Sequence, residues 1–260
     1  MKNSKLLKDA IKAGLKVVHL DIETSPYLVW TYPLWDANIP TENIEVPMQV
    51  TSIGWMFEDG KVKVKGWKDS YVDYWIQNKK RDYDLLKEVI PEINEADIII
   101  GQNLNSYDIK KIQWRLCELK LPPLKNIITI DTLRQSRKAF SPPSHKLDYK
   151  SKVHGKGGKI KQTMEDCIAV AKGDKKKQTI RMKYNAKDVT DERHMFWKEL
   201  DYYILPKALL NMLYNYVKKE KPFCIKCAAR HQKRFDVKSI RHKRENKYQC
   251  NQCEYIWRIK

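Results

Sequence analysis

The stretch "HLDIETSPY", residues 19–27, follows the apolar run "LKVV" and sets two carboxylates, Asp21 and Glu23, one residue apart. In a strand, side chains alternate between two faces, so Asp21 and Glu23 share one of them. Like charges side by side on a sheet face repel each other. The pair therefore marks either a solvated strand end or half of a site for a cation. The surrounding chain, 260 residues with 42% hydrophobic and 32% charged, has material for one large core, or for one domain with a small appendage.

The elements around this strand follow from periodicity and punctuation. A short helix, "SKLLKDAIKAG", precedes it, and a long aromatic-rich connection, "TSPYLVWTYPLWDANIPTENIEVP", follows. "QVTSIGWMF" and "KVKVKGW" flank "EDG" and read as an antiparallel hairpin. "DYDLLKEVIPEINEA" reads as a helix despite Pro91, and "DIIIGQN" as a buried strand. "YDIKKIQWRLCELKL" has helical spacing and ends before Pro122 and Pro123, and "NIITIDT" is a further short strand. From Leu133 to Leu200 the pattern is mostly helical. Three strands, helix, strand, helix, strand and then helices favour a mixed α/β sheet over a doubly wound parallel one. Residues 1–205 read as one α/β domain, 206–221 as a helical linker and 222–260 as a compact tail.

No run approaches the roughly 18 uninterrupted apolar residues of a membrane span. The basic N-terminus, "MKNSKLLKDAIKAGLKVV", lacks the apolar stretch and cleavage site of a signal peptide. A soluble, intracellular protein without a membrane partner is the expectation. Lys and Arg number 51 against 32 Asp and Glu, a formal net charge of +19. Residues 206–260 hold 15 Lys and Arg against 4 Asp and Glu, more than half of that excess. Such localisation favours a polyanion, because neutralising phosphates releases counterions. Nucleic acid is the partner that fits.

Asp21 and Glu23 have company further along. "GQNLNSYDIKKI" puts Asp108 at the start of a helix, and "YNAKDVTDERHMF" places Tyr184 and Asp188 four apart on one helical face. Carboxylates are the ligands that hard divalent ions such as Mg²⁺ and Mn²⁺ prefer. Two such ions can clamp the attacking and leaving oxygens of a phosphodiester displacement. A phenol one turn before Asp188 is placed to orient a water. Asp131 in "ITIDT" suits a turn or cap, Asp191 is expected to face solvent, and His19, His145 and His154 are expected to be structural or exposed. Cys117 and Cys167 read as inert core residues.

"DIETSP", "NLNSYD" (Asn103 to Asp108) and "YNAKD" (Tyr184 to Asp188) together resemble the three motifs of the DEDD superfamily of 3′–5′ exonucleases, tyrosine subclass. That superfamily includes polymerase proofreading domains. "IDTLRQSRKAF…HKLDY" resembles the stretch that joins the second and third motifs there, and residues 15–205 are covered in order. The likeness is greatest to stand-alone, often virus-encoded members. It implies a ribonuclease H-like mixed sheet flanked by helices. It also implies that Asp21, Glu23, Asp108 and Asp188 hold two Mg²⁺ or Mn²⁺, with Tyr184 orienting the attacking water. Thr24 and Asn103 are implied as nucleic-acid contacts. The histidine that precedes the last Asp by five positions in the sister subclass is here Lys183, which leaves His194 without a base role.

The tail carries Cys224-x-x-Cys227, then twenty-two residues, then Cys250-x-x-Cys253. Paired knuckles of this kind suit tetrahedral thiolate coordination of one structural Zn²⁺. About forty residues build little core, so a metal staple makes physical sense. The segment resembles a zinc ribbon. Arg230, Lys233, Arg234, Arg241, Lys243 and Arg244 are candidate phosphate contacts, and Trp257 a candidate stacking surface. The reading is a metal-dependent 3′–5′ exonuclease acting on nucleic acid, with single-stranded DNA favoured over RNA. The alternatives are a non-catalytic nucleic-acid-binding protein on the same fold and a structure-directed endonuclease.

Overall fold

Strand β1 (Val17–Thr24) is the middle of a five-stranded sheet. β4 (Val50–Phe57) pairs antiparallel with one edge of it, and β6 (Ile98–Gly101) pairs parallel with the other. β5 (Lys63–Gly66) extends the sheet antiparallel beyond β4, and β7 (Ile128–Asp131) extends it parallel beyond β6. The order β5-β4-β1-β6-β7 is the mixed α/β sheet expected from the sequence, with helices on both faces, as in a ribonuclease H-like fold. This computed structural model describes residues 2–32, 35, 38–67, 79–125, 128–156 and 162–218, with the backbone of 232–235, 246–250 and 256–259.

Among the described residues the α-helices are α1 (Asn3–Lys12), α2 (Tyr83–Ile93), α3 (Asp108–Glu118), α4 (Thr132–Ala139), α5 (Leu147–Val153), α6 (Met164–Ala171), α7 (Lys175–Glu199) and α8 (Lys207–Lys218). Pro91 lies inside α2, where Leu85, Leu86, Val89, Ile90 and Ile93 are buried. That apolar burial outweighs the one hydrogen bond the proline forfeits. Inside the aromatic connection, β2 (Leu28–Val29) and β3 (Ile44–Val46) form a two-stranded ribbon. Strands this short have too little alternation to be legible in sequence.

Alternation along β1 divides its side chains between two cores. Val18, Leu20 and Ile22 join Leu86, Val89, Ile112 and Leu116 from α2 and α3. Val17 joins Leu6 and Leu7 of α1, Phe196 of α7 and Leu209, Met212 and Leu213 of α8. His19, Asp21 and Glu23 continue the face of Val17 and lie beneath α7, where β1 stops being apolar. Among the described residues no helix is long and apolar enough to cross a membrane.

Two expectations are corrected. Cys117 is exposed rather than core, because it lies off the buried row of Ile112 and Leu116 on α3. Asp191 is buried rather than solvent-facing, and it pairs with Lys187 one turn earlier on α7. In the tail, β8 (Gln232–Phe235), β9 (Asn246–Cys250) and β10 (Ile256–Ile259) form an antiparallel sheet in the order β10-β9-β8. Cys250 ends β9, Lys233 and Arg234 are on β8, and Trp257 is on β10. Cys224, Cys227, Cys253, Arg230, Arg241, Lys243 and Arg244 lie outside the described residues.

Candidate metal centre

The pairing of β6 with β1 ends at His19 and Ile100, so the last turn of β1 is open on that side. The amide of Ile22, which would otherwise lack a partner there, donates to Asp108 Oδ1 at 3.0 Å. Asp108 is the first residue of α3, so this bond docks the helix start against the strand end. α7 crosses the same strand and delivers Asp188. Asp21, Glu23 and Asp188 each place a carboxylate oxygen within 4.8 Å of the other two. Asp108 stands beside this trio, turned to the Ile22 amide, and still acts on the charge of Asp21.

Three residues of α7 fasten it to β1, running along the helix as their partners run back along the strand. Arg181 donates from Nη2 to Glu23 Oε2 at 2.8 Å and to the Thr24 carbonyl at 2.7 Å. Asn185 donates from Nδ2 to Asp21 Oδ2 at 2.8 Å. Glu192 meets His19 Nδ1 at 2.5 Å. The other ring nitrogen of His19 meets Glu58 at 2.6 Å, and Glu58 also accepts from Arg193 and Trp197. One oxygen of Glu23 and one of Asp21 are thus held by α7, which orients the carboxylates.

Gly54 of β4 faces Asp21 across the sheet and makes room for this arrangement. A Cβ there would lie 2.0 Å from Asn185 Oδ1 and 3.0 Å from Val189. Gly54→Ala is therefore expected to push Asn185 off Asp21 and lift α7 locally. The overpacking costs about 1–3 kcal/mol of stability by chemical denaturation. A wild-type melting curve would show that α7 accommodates the methyl group.

The charges tell the same story. Burial first, and then Asp108, Glu23 and Asp188, push the Asp21 carboxyl well above the usual carboxylate range. Burial raises Asp108 to about 7; amide hydrogen bonds oppose this, while Glu23 and Asp131 add to it. Two acids that resist ionisation, Asp21 and Asp108, set beside Glu23 and Asp188, fit a hard divalent cation, which supplies the missing positive charge. The Tyr184 phenol is raised by burial and then by Asp188, to which its hydroxyl is hydrogen-bonded. A phenol held protonated in this way donates hydrogen bonds and does not serve as a base.

Other residues singled out in the sequence are placed as follows. Asp131 caps α4, accepting from the Arg134 amide at 3.1 Å. The Thr24 hydroxyl is 2.8 Å from that of Tyr107. Asn103 has a left-handed backbone (φ 60), and its carbonyl accepts from the amides of Ser106 and Tyr107. His145 bonds Ser136 at 3.0 Å, and His154 is half-buried. Cys167 is half-buried and accepts from Arg181. Sequence reasoning missed Arg181, Asn185, Gly54 and the Glu58–His19–Glu192 triad. A signal was present: polar residues 181, 185 and 192 recur at helical spacing on a helix that must cover a polar strand face.

The chain matches no protein-family model and no curated protein. Among solved structures it is similar to the family B DNA polymerase from the hyperthermophilic archaeon Pyrobaculum calidifontis, at 16% identity with a TM-score of 0.52. The likeness covers 78% of this chain, which spans only 27% of that polymerase, and at this identity it is a likeness of fold.

Proposed function

We propose that the protein is a metal-dependent 3′–5′ exonuclease that shortens nucleic acid, with single-stranded DNA as the favoured substrate. The observation that carries this reading is the convergence of Asp21, Glu23 and Asp188, from β1 and α7, on one point at the end of a ribonuclease H-like sheet. The family that the motifs resemble includes polymerase proofreading domains, and a likeness to part of a DNA polymerase is in keeping with that.

Asp21, Glu23, Asp108 and Asp188 would hold two Mg²⁺ or Mn²⁺. When bound, the ions supply charge stabilisation to the phosphate and its leaving oxygen. The chain does the positioning. Arg181 and Asn185 hold one oxygen each of Glu23 and Asp21. Tyr184, protonated and bonded to Asp188, presents its phenol to an attacking water. Tyr184→Phe is expected to slow hydrolysis about 100-fold, on the order seen when one positioned donor is removed. Strand binding should be retained, and unchanged hydrolysis would remove the phenol from the reaction.

The tail is proposed as a zinc ribbon with Cys224, Cys227, Cys250 and Cys253 as ligands. In its support, Cys250 ends β9 of a three-stranded antiparallel sheet, and Cys224 and Cys227 precede β8 in the sequence. Its cations would hold the phosphate backbone. The test is incubation of the full chain with end-labelled DNA and RNA strands and Mn²⁺. Stepwise shortening from the 3′ end is expected. Internal fragments would make the protein an endonuclease, and binding without shortening would make it a non-catalytic binder.

A further inference from the structure

The residue before α3 and two residues on it, Tyr107, Lys111 and Trp114, fall at i, i+4 and i+7 and share one helical face. The opposite face, with Ile112, Arg115 and Leu116, is buried. Trp114 is 60% exposed, Tyr107 37%, and Tyr27, across from them at the start of the aromatic connection, 49%. Lys111 Nζ lies 5.6 Å from the ring centre of Tyr107 and 5.8 Å from that of Tyr27. The inner end of this row is tied to the acidic centre, because the Tyr107 hydroxyl meets that of Thr24, the neighbour of Glu23. Seven residues at 1.5 Å each carry the row about 10 Å outward along α3.

Aromatic faces left in water beside a cation, in a line that leads from a cluster of carboxylates, are arranged for a ligand that is flat and anionic in repeat. We propose that Tyr27, Lys111 and Trp114 form a stacking strip for unpaired bases of a nucleic-acid strand whose end lies at the metal centre. The inference rests on the exonuclease reading for where the strand ends, but not for its stacking. Each ring offers a π-face to a base, and Lys111 offers its charge to the intervening phosphate. A duplex cannot use the strip, since its bases are already paired and stacked. The strip thus imposes a requirement for several unpaired nucleotides before the cleaved one.

The test is binding of the full chain to fluorescently labelled decanucleotides whose terminal linkage is a non-hydrolysable phosphorothioate, without added Mg²⁺ or Mn²⁺. One strand is intact; in the other, the second to fifth nucleotides from the 3′ end are abasic, so phosphates remain and bases do not. Wild type is expected to bind the abasic strand at least about tenfold more weakly, because the bases that stack are lost while every phosphate is kept. Trp114→Ala should lose about tenfold on the intact strand and much less on the abasic one. Trp114→Phe should restore most of the loss. Equal losses on both strands, or wild-type binding by Trp114→Ala, would overturn the proposal. The latter would assign the strip to a protein partner instead. Because no hydrolysis is read, a failure of the exonuclease reading shows separately, in the shortening assay.

Discussion

Asp188→Ala is expected to shorten labelled strands at least ~1,000-fold more slowly than wild type, since a lost ion-binding carboxylate forfeits several kcal/mol of transition-state stabilisation. The same variant should be as stable as wild type, or more so, without added Mg²⁺ or Mn²⁺. The reason is the repulsion already visible in the centre: Asp188 is among the groups that hold the Asp21 carboxyl protonated, after burial. Deleting it removes a like charge where no cation compensates. Adding Mn²⁺ should raise the melting temperature of wild type, by mass action on the folded state, and leave that of Asp188→Ala nearly unmoved.

The pH dependence has a definite sign. The folded-state values of Asp21 and Asp108 are raised, Asp108 to about 7. Their contribution is present in full below the ordinary carboxylate range and is lost as the pH rises through about 7. Without divalent ions the melting temperature should therefore fall between pH 4 and 7 on account of these groups, and saturating Mn²⁺ should flatten that slope. Wild-type shortening by Asp188→Ala, with folding intact, would place the cleaving centre elsewhere.

The largest loss of stability is expected for His19→Ala. Its imidazole is fully buried between Glu192 and Glu58. Burial alone would lower its pKa, but the two glutamates overcome that and raise it to about 9. Burial works to raise Glu58, but His19, Arg193 and Trp197 together lower it. Removing the imidazolium leaves two carboxylates facing a hole, and breaking a buried ion pair from one side costs ~3–5 kcal/mol. That corresponds to a drop of roughly 6–20 °C in melting temperature for a chain of this size. Because the folded pKa is raised, the stability from His19 is complete below about 6.5 and disappears as the pH passes about 9. Thermal unfolding at pH 6, 8 and 10 should show this alkaline loss in wild type and not in His19→Gln. Equal melting of His19→Ala and wild type would mean that the triad contributes nothing to holding α7 on β1.

How far the sequence could be read depends on the range of the interaction. The period of two in "VVHLDIET" put Asp21 and Glu23 on one face, and β1 bears that out. The hairpin about "EDG", the helix beginning at Asp108 and the pairing of Tyr184 with Asp188 one turn apart are also local patterns, and they appear where expected. Cys117 and Asp191 were misread, because which side of a helix is covered depends on neighbours that the local pattern does not name.

The sequence by itself determined the strand and helix order, the acidic motifs and their succession, and the concentration of positive charge in the tail. Periodicity, turn chemistry and composition act over a few residues, so one dimension suffices. Only the tertiary structure decided which acids meet: Asp188 joins Asp21 and Glu23, while Asp108 turns to the Ile22 amide. It also decided that Arg181, Asn185 and Glu192 hold β1 from 158, 164 and 173 positions away, with Gly54 leaving the space. Those contacts depend on how a helix lies across a sheet, and that is set by the packing of two cores rather than by any local pattern.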